Sequence, residues 1–259
     1  MSVSHRVKSS TSEKAVLNRL LFSPCTFEFH LTEQDLTPKG ILHLEKMITL
    51  VQREGARVYL HHPMTYKGKP QHILSPDLER KTYFQWSTKQ LVEISREYQT
   101  KTVLHGNYHE STPIPINERN TIQLYEELQK YMERGRDHLL FEDSTSGLFS
   151  YQNKDLISTV ITPLKLPLVQ DLSHSFIAVR GDQKRFIDLV HRVHPYVQYY
   201  HVVDSFGEYH DSLTIGKGKI NWKAVKPYII ERDYIFEVGL RDFDRCDEMV
   251  ESAYVFHRI

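Results

Sequence analysis

The sequence predicts a closed barrel of eight parallel β-strands, each followed by a helix: a single (β/α)8 TIM barrel. Three observations carry this. Short β-rich apolar runs alternate with longer amphipathic segments from one end of the chain to the other, the pattern of a parallel sheet covered by helices. The length of 259 residues lies near the roughly 250 typical of such a barrel. An open doubly wound sheet is the rival, but no glycine-rich first turn supports it. No linker, low-complexity tract or composition shift divides the chain, so residues 1–259 read as one domain.

The expected strands are "SVSHRV" (2–7), "TFEFHL" (26–31), "RVYLHH" (57–62), "KTVLHG" (101–106), "HLLFED" (138–143), "PLVQDL" (167–172), "VQYYHVVD" (197–204) and "YIFEVG" (234–239). Helical periodicity lies between them. Residues 12–21 open with Ser12 followed by Glu13, a capping pattern, and 38–54 place Ile41, Leu44, Ile48 and Val51 on one face. Further helices are expected over 87–98, 117–134, 182–193, 221–230 and 242–256, with a weaker pattern over 152–162.

Composition excludes several classes. Hydrophobic residues at 40% and charged ones at 25% suit a soluble globular chain. Lysine plus arginine equal aspartate plus glutamate at 33 each, so no global basic field announces nucleic acid. A local patch on a neutral protein is still compatible with DNA. Two distant cysteines, Cys25 and Cys246, make neither a disulfide framework nor a thiolate metal site. Residues 1–14 lack a signal-peptide core, and no run reaches membrane-spanning length. A cytoplasmic location is expected, with no membrane partner.

The 15 histidines draw attention to where the strands end. In a parallel barrel all the carboxyl ends converge on one face, where active sites lie. The ends here carry His61 and His62, then His105 with His109 beyond, Glu142 and Asp143, Asp171 and His174, His201 and Asp204, and Glu237. The loop after His201 adds Glu208, His210 and Asp211. Burying unpaired carboxylates costs several kcal/mol, so successive strands that end this way imply shared cations. Nitrogen and carboxylate donors without thiolate suit Zn2+, Mn2+ or Fe2+, and the set is too rich for one four-coordinate ion. At least two ions are expected. Adjacent strand residues face opposite ways; of the His61–His62 pair, His62 is taken as the inward one.

At this point the sequence resembles the xylose-isomerase-like barrel superfamily over nearly its whole length. Within it, the chain is most similar to the endonuclease IV family of apurinic/apyrimidinic endonucleases. The matching pieces, in the family's order, are "HHP" (61–63), "LHGNYH" (104–109), "FEDSTSG" (141–147), "DLSH" (171–174), "HVVDS" (201–205), "IGKG" (215–218) and "FEVG" (236–239). That resemblance implies two or three zinc ions, with manganese as an alternative. His62 and His105 would hold the first ion and Glu142 would bridge to the second. Asp171, His201 and Glu237 would complete the second, and His174 would hold a third. The family's Asp-x-His partner for the third site is absent. The loop reads "GEYHDSLTIGKG", offering Glu208 and His210, or His210 and Ser212, with Asp211 also at hand.

The implied reaction is metal-dependent hydrolysis of the DNA backbone at abasic sites, with Glu142 and Glu237 as the catalytic carboxylates. The loop 64–81, which carries Tyr66, Lys67, Lys69, Arg80 and Lys81, suits phosphate contact and base stacking; Tyr66, Lys67 and Lys69 are the expected substrate contacts. The alternative within the superfamily is a sugar or sugar-phosphate isomerase or epimerase using one divalent ion on Glu142, Asp171, His201 and Glu237. The arginine such enzymes often carry six residues after the metal histidine is Gly207 here, and those enzymes have no need of a second histidine pair. Both points favour hydrolysis.

Overall fold

A computed structural model describes residues 3–108 and 113–259. Eight parallel strands lie in one sheet in chain order: β1 (Arg6–Ser9), β2 (Thr26–His30), β3 (Arg57–His61), β6 (Lys101–His105), β7 (Leu139–Glu142), β8 (Leu168–Asp171), β9 (Val197–Val202) and β10 (Asp233–Phe236). A small antiparallel hairpin, β4 (Thr65–Tyr66) with β5 (Lys69–Pro70), leaves the rim after β3. The edges meet through side chains: Arg6 faces Asp233 at 3.6 Å, and Lys8 Nζ lies 3.8 Å from Glu237 Oε1. The described residues show no hydrogen-bonded ladder between β1 and β10, so the (β/α)8 barrel is nearly closed.

The helices are α1 (Glu13–Leu20), α2 (Pro38–Arg53), α3 (Leu78–Glu97), α4 (Glu118–Gly135), α5 (Thr162–Leu164), α6 (Leu172–Ala178), α7 (Gln183–Val193), α8 (Trp222–Ile229) and α9 (Asp247–Arg258). Four differ from expectation, α9 by starting at Asp247 instead of residue 242. Helix α3 starts nine residues before the expected 87, because Asp77 accepts the amides of Glu79 and Arg80 and caps the extra turns. The weak pattern at 152–162 becomes a π-helical turn, Leu156–Ile161, running into α5. Helix α6 was not expected; Asp171 caps it by accepting the amide of His174. The first strand also begins later, at Arg6 instead of residue 2.

The interior is layered by the two-residue period of a strand. Tyr59, Val103, Leu140, Val169, Tyr199 and Ile235 form a buried apolar cluster inside the barrel, one residue from each of six strands. Two residues further along those strands come His61, His105, Glu142, Asp171, His201 and Glu237. The opposite parity, such as Val58, Leu60, Leu104 and Phe141, joins the larger core under the helices. The polar rim therefore sits directly on an apolar plug, and the sheet itself sets its radius.

Candidate metal centre

The strand parity corrects one expectation. His61, not His62, points inward. With Tyr59 inside, His61 must be inside, and His62 falls on the helix side. There His62 packs its ring 4.8 Å from that of Phe84 and places Nε2 2.7 Å from Ser87 Oγ on α3. Burial holds its pKa down at about 3, as expected for a neutral imidazole in an apolar wall.

The other expected strand-end donors converge. Glu142 is the hub. Its Oε2 lies 2.8 Å from His105 Nε2 and 3.3 Å from His61 Nε2. Its Oε1 lies 3.1 Å from His201 Nδ1 and 3.7 Å from His174 Nδ1. His201 Nδ1 also approaches Glu237 Oε2 at 2.8 Å. At the rim, the ring of His210 sits 4.7 Å from that of His174. The donor atoms fall into compact groups with mutual separations within 4.8 Å: His61, His105 and Glu142; Glu142, Asp171, His201 and Glu237; Asp171, His174 and His210. Of the three residues weighed beside His210, none is in a group. Glu208 is exposed, Asp211 accepts the Phe206 amide, and the Ser212 carbonyl accepts the Gly239 amide.

Two donors went unnoticed in the sequence. Glu28 and His30, on β2, share the inward face, while Phe27 and Phe29 pack outward. Glu28 Oε2 lies 3.0 Å from His201 Nε2, and Glu28 Oε1 lies 2.9 Å from His30 Nε2. Alternation in "TFEFH" was the available signal. A further group of donors joins Glu28, His30 and His61, but the His30 and His61 rings stack at 14° and 4.4 Å. Parallel stacked imidazoles cannot aim both nitrogens at one ion.

Asp143 and Asp204, also read at strand ends, serve the protein instead. Asp143 accepts the amide of Asp171 and the hydroxyl of Ser175. Asp204 accepts the amides of Ser205, Gly216 and Ile220 and the indole N–H of Trp222. Gly218 is wrapped so closely on Asp204 that a Cβ there would collide with the carboxylate. His109 lies outside the described residues.

The electrostatics fit cations. Burial alone would raise the pKa of Glu142, yet His105 and His201 hold it well below the usual carboxylate range. Burial would lower that of His201, yet Glu142, Glu28 and Glu237 push it well above normal. Asp171 is driven well above its usual range by burial and by Glu237 and Glu142, so a third negative charge is not tolerated by the protein alone. Asp171 Oδ2 and His105 Nδ1 are buried without a hydrogen bond. A set of buried carboxylates and imidazoles with unfilled donor positions has the chemistry for divalent ions.

The expected substrate residues stand apart from this cluster. Tyr66 stacks on Tyr83 at 4.0 Å, Lys67 pairs with Glu79, and Lys69 Nζ lies 3.5 Å from Asp77. Tyr66 and Lys67 line a groove of about 800 Å³ with Glu33, Leu36, Tyr83 and Trp86. No helix among the described residues is long and apolar enough to cross a membrane.

No protein-family model and no curated protein matches the chain. Solved structures do. A D-tagatose 3-epimerase-like protein aligns over 97% of this chain and 95% of its own, at 15% identity and a TM-score of 0.73. The TTHB071 protein from Thermus thermophilus, soaked with ZnCl2, aligns over 99% and 98%, at 18% identity and a TM-score of 0.68. A family 2 AP endonuclease from Brucella melitensis aligns over 92% and 94%, at 12% identity and a TM-score of 0.63. Endonucleases and sugar epimerases thus share one architecture with this chain, whose fold is that of the xylose-isomerase-like TIM barrels.

Proposed function

We propose that the protein is a metal-dependent phosphodiesterase that hydrolyses the DNA backbone at abasic sites through a centre of two or three zinc ions. One observation carries the reading: the two oxygens of Glu142 face different histidine sets, His61 with His105 and His201 with His174. A carboxylate shared in this way would suit a multinuclear centre. His61, His105 and Glu142 would hold the first ion; Glu142, Asp171, His201 and Glu237 the second; Asp171, His174 and His210 the third. Mn2+ meets the same donor set.

Divalent ions at such a centre supply positive charge against the phosphoryl oxygens and Lewis acidity towards the attacking water. The protein does the rest. Glu142 fixes the spacing of the two halves and offers a carboxylate oxygen to the water's proton. Glu237, held by His201 and Lys8, closes the opposite wall. Tyr66, Lys67 and Lys69 would meet the flanking DNA. The two lysine ion pairs are exposed and screened by solvent, so exchange for phosphate is cheap.

A second reading has its own support. Glu142, Asp171, His201 and Glu237 form a one-ion set that suits proton transfer beside a sugar carbonyl, with the two glutamates on either side of His201. Against it stands Gly207, at the position of the arginine expected for epimerases. A Cβ on Gly207 would lie 2.5 Å from Gly181 Cα, so a long side chain cannot enter from that backbone.

The deciding experiment incubates zinc-loaded protein with duplex DNA containing one abasic site, with and without chelator, beside a ketose panel. Chelator-sensitive nicking that Glu142→Gln abolishes and His61→Ala and His105→Ala cripple is expected. Ketose turnover without nicking would replace this reading with the second.

A further inference from the structure

We propose that Glu28 is a positioning residue for the metal centre: from inside the barrel it grips His201 Nε2–H and so presents His201 Nδ1 to the ion held with Glu142 and Glu237. The inference rests on the metal-centre reading above and adds a strand, β2, that supplies no ligand to it.

Glu28 pairs in register with Tyr59, which places it at the level of the apolar plug of Tyr59, Val103, Leu140, Val169, Tyr199 and Ile235. It is fully buried there, as is His201. A carboxylate at that level costs several kcal/mol unless charge-assisted bonds offset the loss of water. Its Oε2 is hydrogen-bonded to His201 Nε2 at 3.0 Å, and its Oε1 lies 2.9 Å from His30 Nε2. The same His30 Nε2 lies 3.5 Å from Glu237 Oε1.

The consequence for His201 follows from imidazole chemistry. A neutral ring has one N–H and one lone pair. Giving the Nε2–H to Glu28 leaves the lone pair at Nδ1, and Nδ1 is the atom 3.1 Å from Glu142 Oε1 and 2.8 Å from Glu237 Oε2. The opposite tautomer would set a lone pair against the Glu28 carboxylate and remove the ligand from the ion. Carboxylates that hold a ligating histidine in this way fix ring orientation and raise its basicity, and their loss typically weakens metal binding 10–100-fold.

The test uses the full chain, competed for zinc against a chromophoric chelator, with metal analysis and thermal unfolding in parallel. Glu28→Ala is expected to weaken one ion by roughly 10–100-fold. Glu28→Gln, whose amide oxygen still accepts Nε2–H, is expected to recover most of that loss while remaining measurably weaker than wild type. Long-range 1H–15N correlations in the zinc-loaded wild type should show His201 protonated at Nε2. Wild-type zinc affinity in both variants, or a proton at Nδ1, overturns the proposal. Should Glu28→Ala fail to fold, Glu28→Gln and the tautomer decide. A wild-type protein that takes up no zinc ends this inference and the metal-centre reading together. Weakened zinc binding in a protein inactive on abasic DNA would sustain Glu28's role and remove only the assigned reaction.

Discussion

Asp204 offers the sharpest quantitative test of how the rim is built. Its carboxylate is fully buried and accepts four donors: Ser205 N at 2.9 Å and Ile220 N at 3.2 Å on Oδ1, Gly216 N at 2.8 Å and Trp222 Nε1 at 3.0 Å on Oδ2. Together they tie the end of β9 to the loop that returns to α8, and that loop carries His210. In Asp204→Ala the donors are left facing a cavity. Hydrogen bonds to a charged partner contribute about 1.5–3 kcal/mol each. The bonds from Ser205, Ile220 and Trp222 are buried, whereas that from Gly216 is partly exposed and water can replace it. The expected loss is therefore about 4.5–9 kcal/mol, which for a chain of this size lowers Tm by roughly 10–35 °C. Asp204→Asn should be nearly as damaging, because each oxygen faces two donors and an amide nitrogen in either place opposes both. Asp211→Ala, which removes one exposed bond to Phe206 N, should cost under about 1 kcal/mol. Urea titration of the three variants measures this directly. A loss below about 1.5 kcal/mol for Asp204→Ala would refute the view that this carboxylate organises the loop.

The remaining predictions concern the metal and the two neighbouring histidines. Zinc at a hundred times its Kd should stabilise the fold by about 2.7 kcal/mol per ion, so two ions raise Tm by roughly 10–20 °C; scanning calorimetry with zinc against chelator reads the shift. His61→Ala should weaken zinc binding, whereas His62→Ala should leave zinc stoichiometry intact and lower stability by about 1–3 kcal/mol through the lost Ser87 bond and packing. His62 also sets a pH dependence. Its folded pKa of about 3 lies below the ordinary histidine value of 6.5, so the unfolded chain binds the extra proton between those limits. Its contribution is complete above pH 6.5 and is lost as pH falls towards 3, at about 1.4 kcal/mol per pH unit. Denaturation midpoints for His62→Gln across that window should show a slope flatter by that amount, and an unchanged slope would contradict the assignment.

The barrel was legible because alternation of strand and helix survives local error. Boundaries moved by a few residues at most strands, and the order of eight units did not. The site was legible as a set of strand ends, since Glu142, Asp171, His201 and Glu237 are poor core material wherever they fall. What failed was parity. In a parallel sheet both faces of a strand are buried, one against the plug and one against helices, so "RVYLHH" gives no polar side to mark the inside. His61 and His62 look alike from sequence, and only the inward Tyr59 separates them. The same blindness hid Glu28. It sits in mid-strand between Phe27 and Phe29, at a level where six other strands place apolar side chains, and attention to strand ends passes over it.

That position is itself informative. Six strands fill the interior layer with apolar residues, β1 sets Lys8 in register with Glu28, and β2 inserts that carboxylate beneath the histidine that joins Glu142 to Glu237. An apolar residue at position 28 would pack the plug and avoid the desolvation cost, but it would leave His201 Nε2–H unsatisfied and the ring free to turn. Stability at that level has been exchanged for a fixed imidazole. Such a departure from a layer's own pattern has a physical rationale only if the ring's orientation matters, and it matters most when Nδ1 must meet a cation.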